Sequence, residues 1–320
     1  MPLIDKPLPE LYQYPGRNPR PDDFDLYWDE GLREMEAIDP QVELHRAKFQ
    51  SPTAECFDLR FTGVGGSRIY AKYLRPAERK GPHPAVLQFH GYSAHSGDWH
   101  DKLAFASIGF SVAAMDCRGQ GGLSEDLTPA RGSTLRGQIT RGLSDDPQKL
   151  AFRQIFLDTA QLAKIVASFA EVDATRIGAI GGSQGGALTL ACAALAPHLI
   201  KRAAATYPFL CDYQRVWEMD LAKNAYEDLR YYLRSFDPRH EEIAALFTRL
   251  GYIDCQHLAP RITAEVLMGC GLMDEICPPS SQFAAYNKIR SPKQVRIYPD
   301  FGHEWLPGFG DQAFQFLAGL

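Results

Sequence analysis

The chain has 320 residues, of which 45% are hydrophobic and 23% charged, and its formal net charge is -5. This composition is typical of a globular protein, and the absence of a Lys/Arg cluster argues against a nucleic-acid partner. No segment approaches the roughly 18 apolar residues of a membrane span, and the first residues lack the pattern of a signal peptide. We therefore expect a cytoplasmic protein without a membrane partner.

The whole chain of 320 residues is expected to form a single α/β domain, because α/β folds often reach this length as one unit. Residues 1–50 are rich in Pro, Asp and Glu and predict an N-terminal arm. Within this arm, the amphipathic stretch 24–38 offers Leu26, Trp28 and Leu32 as side chains that cover the main body.

Two alternating segments predict a β-hairpin after the arm. Residues 56–62 and 68–74 alternate apolar and polar side chains, and Gly65-Gly66 between them permits the positive φ angles of a tight turn. An antiparallel pair at the edge of a sheet is expected.

The pattern then changes to short apolar runs separated by helical lengths of chain. These runs are 85–89, 110–115, 176–180, 203–207, 266–269 and 295–298. Runs buried on both faces are typical of parallel strands joined by helical crossovers. One crossover has a single helical face, formed by Leu162, Ile165, Val166 and Phe169. The order predicts an α/β fold with a mostly parallel, doubly wound sheet.

Residues 211–255 interrupt this rhythm. They mix aromatic and charged side chains without a clear strand. We interpret the segment as a helical insertion over the carboxyl edge of the sheet, where the ligand sites of α/β proteins form.

A glycine-rich segment, Gly181-Gly182-Ser183-Gln184-Gly185, lies between the run 176–180 and the helical residues 187–190. A serine hydroxyl is a weak nucleophile unless it is presented in the open beside a base and an oxyanion-stabilising group. Glycines two positions before and after the serine allow the sharp strand-to-helix turn that presents it. We interpret Ser183 as a catalytic nucleophile. A glycine turn that only packs the helix on the strand is the alternative.

The general base is expected to be a histidine that follows the serine and an acid along the chain. His303 is favoured because it follows the run 295–298, where a loop can place its imidazole over the sheet edge. His198 follows the helical residues after the serine and is expected to lie far from the carboxyl edge of the sheet, whereas His240 and His257 are interpreted as solvated or packing residues.

The acid is expected to follow the preceding strand. Asp274 comes shortly after the run 266–269 and is favoured, with its neighbour Glu275 as the main rival. Asp300 is too close to His303 in the chain to form the usual pair between two loops. In this arrangement Asp274 orients the imidazole, which accepts the serine proton and later gives it to the leaving alcohol.

Two backbone N–H groups are candidates for an oxyanion hole. One belongs to Gln184, the residue after the nucleophile, and the other to Tyr92, in the loop that follows the run 85–89. An ordinary strand-terminating turn at His90-Gly91 is the alternative for the second donor.

Neither a cofactor nor a metal is predicted. The loop Arg118-Gly119-Gln120-Gly121-Gly122 lacks the Lys-Ser/Thr pair of a P-loop and the spacing of a dinucleotide site, so a structural loop is preferred. The seven cysteines have no zinc-ligand spacing and are expected to be free thiols. A redox role for Cys117 and Cys277, which lie near the predicted site, is the less favoured alternative.

In combination, these segments resemble the acetyl xylan esterase/cephalosporin C deacetylase group, carbohydrate esterase family 7, over nearly the full chain. The matching pieces are His90-Gly91-Tyr92, Arg118-Gly119-Gln120, Gly181-Gly182-Ser183-Gln184-Gly185, Gly271-Leu272-Met273-Asp274 followed by Pro278-Pro279, Phe283-Ala284-Ala285-Tyr286-Asn287, and His303-Glu304. Together they are far more specific than the serine segment alone.

The resemblance implies an α/β-hydrolase fold and a triad of Ser183, Asp274 and His303, with an oxyanion hole from Tyr92 and Gln184. It implies removal of acetyl groups from short acetylated xylo-oligosaccharides and from cephalosporin C, through an acyl-enzyme. It also implies a ring-shaped hexamer with sites facing an inner cavity, and a supporting role for Arg118 and Gln120.

Two other functions remain as alternatives. A serine peptidase of the prolyl oligopeptidase type shares the Gly-x-Ser-x-Gly-Gly pattern, although 320 residues leave no room for a gating propeller. A hydrolase fold kept only as a binding module is the second alternative. The ordered Ser183, Asp274 and His303 argue against it.

Overall fold

The structure is a computed structural model that describes residues 4–78, 81–131 and 138–320. Its centre is a nine-stranded sheet with the strand order β1-β2-β3-β5-β4-β6-β7-β8-β9. The strands are β1 (Glu43–Arg46), β2 (Ala54–Thr62), β3 (Arg68–Pro76), β4 (His83–Phe89), β5 (Ser111–Met115), β6 (Val172–Gly182), β7 (Ile200–Thr206), β8 (Glu265–Gly271) and β9 (Lys293–Tyr298).

The sheet is antiparallel at one edge and parallel elsewhere. Strands β1, β2, β3 and β5 pair antiparallel, and all pairs from β5 to β9 are parallel. The predicted hairpin is confirmed as β2 and β3, with Gly65 at a φ of 73° in the turn. Strand β1 is absent from the sequence prediction, because all four of its residues are exposed and it has no apolar run.

The order in which successive strands are added to the sheet reverses at β4. Strand β5 follows β4 in sequence and pairs on one side of it, whereas β6 pairs on the other side. The register places Phe89, at the end of β4, beside Gly181, near the end of β6. The loops that leave these two strands therefore lie side by side, at the kind of switch point where α/β proteins form their sites.

Helices cover both faces of the sheet. They are α1 (Leu8–Leu11), α2 (Phe24–Glu36), α3 (Leu103–Ser107), α4 (Ala151–Ser168), α5 (Gln184–Leu195), α6 (Tyr213–Glu218), α7 (Glu227–Phe236), α8 (Ile243–Gly251), α9 (Cys255–Leu258), α10 (Pro279–Lys288) and α11 (Phe309–Ala318). In β4, Ala85 and Leu87 pack into the core shared with α2, α4 and α5, whereas Val86 packs with α3 and α11. The predicted doubly wound sheet is confirmed.

Helix α2 of the predicted arm packs against the body, but not through all of the predicted residues. Its buried residues are Phe24, Tyr27, Trp28, Gly31 and Met35. Leu26 is 55% exposed, so its prediction as a covering residue was wrong. The helical period explains this, since a residue midway between Phe24 and Trp28 points to the opposite face.

Asp212 ties the start of the chain to the segment after β7. Its carboxylate accepts hydrogen bonds from the Tyr14 hydroxyl at 2.8 Å and from the N–H groups of Arg17 and Asn18. The Asp212 N–H in turn donates to Asp254, and burial raises the pKa of Asp254 to about 7. The early residues are thus fastened by a buried polar network.

The stretch predicted as a helical insertion, 211–255, contains α6, α7 and α8 and reaches the start of α9. These helices lie in the connection from β7 to β8, and α7 has its Leu229 and Leu233 buried in the main core. Within the described residues, every helix falls short of the length and apolar character needed to cross a membrane.

Candidate active site

Ser183 occupies a sharp turn between β6, which ends at Gly182, and α5, which begins at Gln184. Its backbone has a φ of 57° and a ψ of -121°. This conformation is costly for any residue other than glycine and is found where the fold must present a side chain for function. The turn lifts the serine out of both the strand and the helix.

Two glycines allow the strand and helix to approach closely around this turn. A Cβ atom on Gly181 would lie 2.4 Å from the carbonyl oxygen of Gly185, and one on Gly185 would lie 2.0 Å from the carbonyl oxygen of Phe89. Both distances are far below van der Waals contact with backbone atoms that cannot rotate away. Close packing of the backbone therefore requires glycine at both positions.

We expect Gly185→Ala to destabilise the protein by about 3 kcal/mol, because the added methyl group forces α5 away from β4. The same shift displaces Ser183, so activity should fall as well. Denaturant unfolding and initial rates on p-nitrophenyl acetate measure both effects. Gly310→Ala is the matched control: it also lies near a helix start but has open space around it, and should leave stability unchanged or slightly higher. Equal stability of the two variants would contradict the packing argument.

His303 connects Ser183 to Asp274 through two hydrogen bonds. The His303 Nε2 atom lies 2.9 Å from Ser183 Oγ, and Nδ1 lies 2.8 Å from Asp274 Oδ2. The carboxylate accepts the Nδ1 proton, so Nε2 is left to accept the hydrogen bond of the serine hydroxyl. The three side chains come from the loops after β6, β8 and β9, which end at the same edge of the sheet.

Asp274 is fully buried and held by its own loop. Its Oδ1 accepts the N–H groups of Ile276 at 2.9 Å and Cys277 at 2.8 Å, and Gln282 Nε2 lies 3.4 Å from Oδ2. These donors give both oxygens of the buried carboxylate hydrogen-bond partners within its own segment. The rival Glu275 is exposed to solvent.

The other histidines after the serine have different surroundings. His198 is exposed, and His240 is exposed beside the Trp217 ring. His257 is buried, its Nε2 lies 3.1 Å from the Asn18 carbonyl oxygen, and burial lowers its pKa to about 3. None of these three histidines hydrogen-bonds to Ser183 among the described residues.

The two predicted oxyanion donors lie on neighbouring segments, Gln184 at the start of α5 and Tyr92 in the loop after β4. Gln184 follows Ser183 directly, and Tyr92 lines the same cavity as Ser183 and His303. The Gln120 side chain joins the loops: its Nε2 donates to Gln184 Oε1 at 2.7 Å, and its Oε1 accepts the Ser93 N–H at 2.9 Å. Gln120 thus fixes the distance between the segments that carry Tyr92 and Gln184.

His90 holds the Tyr92 loop from the other side, and this function was not predicted from the sequence. Its Nε2 accepts the Cys117 N–H at 2.9 Å, so the proton resides on Nδ1 and is donated to the Gly91 carbonyl at 2.7 Å. Burial lowers the pKa of His90, which favours this neutral form. The His-Gly pair after a strand was the available signal.

Arg118 lies outside the cavity lining and acts on the surrounding framework. Its guanidinium makes two hydrogen bonds with Asp158, at 2.6 and 2.7 Å, and also donates to the Val64 carbonyl at 3.0 Å. Both charged side chains are buried. Although burial lowers the pKa of Arg118, the Asp158 charge and hydrogen bonds raise it overall. The pair fastens the loop after β5 to α4 and to the β2-β3 turn.

A cavity of about 500 Å³ opens onto Ser183 and His303. Part of its wall comes from the connection between β7 and β8, through Asn224, Ala225, Glu227 and Asp228, and another part from Ile276. The sequence predicts the position of the 211–255 segment over the sheet edge, but no pattern in it identifies which of these residues line the cavity.

Asp228 joins the cavity wall to the Tyr92 loop. Its Oδ2 accepts the Ile139 N–H at 3.1 Å and lies 3.4 Å from the Tyr92 hydroxyl, which itself accepts the Gln138 N–H. Burial raises the pKa of Asp228 to about 6. The carboxyl group therefore helps to order the side of the cavity next to Tyr92.

All seven cysteines are buried free thiols, as predicted. Cys277 lies beside Asp274 and Ser183: burial and then the Asp274 charge raise the pKa of its thiol, whereas hydrogen bonding with Ser183 lowers it. Cys117 receives a contact from Gln184 Nε2 at 3.4 Å.

The switch-point site, the strained turn and the parallel sheet with helices on both faces define an α/β-hydrolase fold. The family model for acetyl xylan esterase (AXE1) matches residues 1–320, and the chain belongs to the acetyl xylan esterase family. The resemblance to acetyl xylan esterases drawn from the sequence motifs is thereby confirmed.

Solved structures agree with the family assignment. Acetyl xylan esterase 1 from Thermoanaerobacterium sp. JW/SL YS485 is 56% identical, with a TM-score of 0.97 over 98% of this chain and 99% of that one. An acetyl xylan esterase from Paenibacillus sp. R4 is 34% identical, with a TM-score of 0.93 and the same coverage. An acylaminoacyl peptidase from Pyrococcus horikoshii, 18% identical with a TM-score of 0.56 over 84% of this chain and 40% of that one, shares the fold alone.

A curated relative is more distant. The acetyl esterase Axe7A of Xylanibacter ruminicola is 26% identical over 300 residues, which cover 91% of this chain. The match spans 65% of the relative's own length.

Proposed function

We propose that this chain is a serine esterase that removes acetyl groups from acetylated xylo-oligosaccharides through an acyl-enzyme intermediate. The observation that carries the proposal is the continuous hydrogen-bonded series Ser183–His303–Asp274 at the mouth of a cavity, in a chain of the acetyl xylan esterase family. We assign Ser183 as nucleophile, His303 as general base and acid, and Asp274 as the group that orients His303.

Acylation begins when Ser183 Oγ attacks the acetyl carbonyl while His303 Nε2 takes the hydroxyl proton. The carbonyl oxygen gains a negative charge. We assign the stabilisation of this charge to hydrogen bonds from the backbone N–H groups of Tyr92 and Gln184. Asp274 stabilises the imidazolium that forms. When the carbonyl reforms, the bond to the sugar oxygen breaks and His303 protonates the leaving hydroxyl group.

Deacylation repeats these steps with water. His303 takes a proton from a water molecule, which attacks the acetyl-enzyme, and the imidazolium then returns the proton to Ser183 Oγ. Acetate leaves and the enzyme is restored. Gln120 and Arg118 take no part in bond changes, and we assign them the role of holding the loops around the reacting atoms.

Acyl chain length tests the proposal most directly. With p-nitrophenyl esters, we expect kcat/KM to fall by about tenfold or more from acetyl to octanoyl, because we propose that the cavity, lined in part by Tyr92 and Ile276, accepts a short acyl group. Acetylated xylo-oligosaccharides should release acetate under the same conditions. Equal rates on all esters would indicate a general esterase, and cleavage of peptides without deacetylation would indicate a peptidase. Failure of a fluorophosphonate to label Ser183 would favour a binding module.

Finer parts of the resemblance to carbohydrate esterase family 7 are also proposals. They are cephalosporin C as a second substrate, a ring-shaped hexamer, a cytoplasmic location, and one catalytic unit that includes residues 1–50 and 211–255. The second substrate is tested by acetate release from cephalosporin C, and the hexamer by light scattering. The location is tested by cell fractionation, and the single catalytic unit by limited proteolysis.

A further inference from the structure

Cys277 lies in one cluster with the proposed catalytic side chains, although the reaction gives its thiol no task. Its Sγ atom, a carboxylate oxygen of Asp274 and a ring nitrogen of His303 all lie within 4.8 Å of one another. Asp274 and Cys277 are fully buried, whereas His303 is partly exposed. Within the described residues, no second group of three such side chains meets this distance.

The three ligand types match a particular class of cation. Thiolate and imidazole together are preferred by soft or borderline ions such as Zn²⁺ and Cd²⁺, and a carboxylate completes many zinc sites. Zinc holds sulfur at about 2.3 Å and nitrogen or oxygen at about 2.0–2.2 Å, which places tetrahedral ligand atoms roughly 3.3–3.7 Å apart. A pair of ligand atoms at the present limit of 4.8 Å therefore has to close by about 1.1–1.5 Å.

The local structure allows this closure and an approach from solvent. Asp274 and Cys277 belong to one tight turn, in which the Cys277 N–H already donates to Asp274 Oδ1, so two of the ligands are held together. His303 lies on the loop after β9 and borders the cavity, so it is the ligand that a cation from solvent reaches first. Ser183 Oγ or a water molecule can take the fourth position.

We propose that Cys277, Asp274 and His303 form an inhibitory site for a thiophilic divalent cation. This inference rests on the proposed function of the same side chains. Binding breaks the Cys277 S–H bond, releases its proton to solvent and forms a sulfur–metal bond. The cation also takes a nitrogen of His303 and an oxygen of Asp274. The imidazole then cannot both accept the serine proton and keep its hydrogen bond to Asp274, so deacetylation stops.

The test is a titration of the full chain with CdCl₂. Initial rates on p-nitrophenyl acetate measure inhibition, and the ultraviolet absorption of a cadmium–thiolate bond measures binding independently of activity. For Cys277→Ala, we expect half-inhibition to need at least about tenfold more Cd²⁺, relative to that variant's own activity, and the Cys277-dependent absorption to be absent. Cys192→Ala is the matched control, because Cys192 is equally buried but contacts the Thr159 carbonyl, and should keep the parent's sensitivity. Mg²⁺, which prefers oxygen ligands, should not inhibit at the same concentrations.

Ser183→Ala separates a failure of this inference from a failure of the proposed function. The variant keeps all three ligands, so it should lose activity yet retain the cadmium–thiolate absorption. If Ser183→Ala remained active, the proposed function would fail. Two results would overturn the cation site alone. One is an inactive Ser183→Ala together with a parent that shows no absorption dependent on Cys277. The other is equal inhibition of Cys277→Ala and the parent by Cd²⁺.

Discussion

Ser183→Ala is expected to lower kcat for acetate release by about 10⁴- to 10⁶-fold, the range found when a triad nucleophile is removed. The reason is the geometry at the end of β6, where His303 Nε2 lies 2.9 Å from Ser183 Oγ and has no other hydroxyl group within hydrogen-bonding distance among the described residues. Without that oxygen no acyl-enzyme forms. Rates on p-nitrophenyl acetate and on an acetylated xylo-oligosaccharide measure the loss.

Ser93→Ala is the matched control for this loss. Ser93 also borders the cavity and also has a positive φ, 58° against 57° for Ser183, so both substitutions place alanine at a positive φ. Ser93 contacts Gln120 through its backbone N–H, which alanine retains. We expect its activity to change by less than about tenfold. A comparable loss in both variants would indicate damage to the cavity rather than removal of a nucleophile.

Arg118→Met is expected to lower the free energy of unfolding by about 3–5 kcal/mol, because it leaves the Asp158 carboxylate buried without its cation. The guanidinium also donates to the Val64 carbonyl and the Ser67 hydroxyl, and these acceptors lose a partner. Denaturant unfolding followed by circular dichroism measures the change. Per folded molecule, the activity should fall far less than in Ser183→Ala, since Arg118 does not border the cavity.

Two further variants test whether the buried Arg118–Asp158 pair is the cause of this loss of stability. The double change Arg118→Met with Asp158→Leu removes both charges and should recover much of the stability lost in either single variant. Arg239→Met breaks an exposed ion pair with Glu241 and should have little effect. If Arg118→Met unfolded at the same denaturant concentration as Arg239→Met, the buried pair would have no special weight in stability.

Local sequence patterns located the main features of the site because those features are local in the chain. The turn at Ser183 needs glycines at fixed offsets from the serine, and Gly185 meets this need through its close approach to Phe89. Asp274 and His303 follow apolar runs that the structure contains as β8 and β9. Asp274 and its neighbour Glu275 both follow β8 closely, and the structure places Asp274 inside and Glu275 in solvent.

Contacts between distant segments could not be predicted in this way. The amide pair of Gln120 and Gln184 joins residues 64 positions apart, and neither residue has a periodic or compositional signal. Exposed strand β1 forms by pairing with β2 and not through an apolar pattern of its own. Leu26 is hydrophobic, but the helical period places it on the exposed face of α2. The amide pair and strand β1 each depend on contacts with residues that are distant in the chain.

The cavity wall and the reacting side chains come from different stretches of the chain. The strand ends of the sheet supply Ser183, Asp274 and His303, whereas residues 224–228 of the β7-β8 connection supply much of the facing wall. Because α7 is bound to the core by Leu229 and Leu233, the wall can change at its exposed positions without loosening its base. Substitutions in this connection can thus reshape the cavity wall while Ser183, Asp274 and His303 keep their positions at the strand ends.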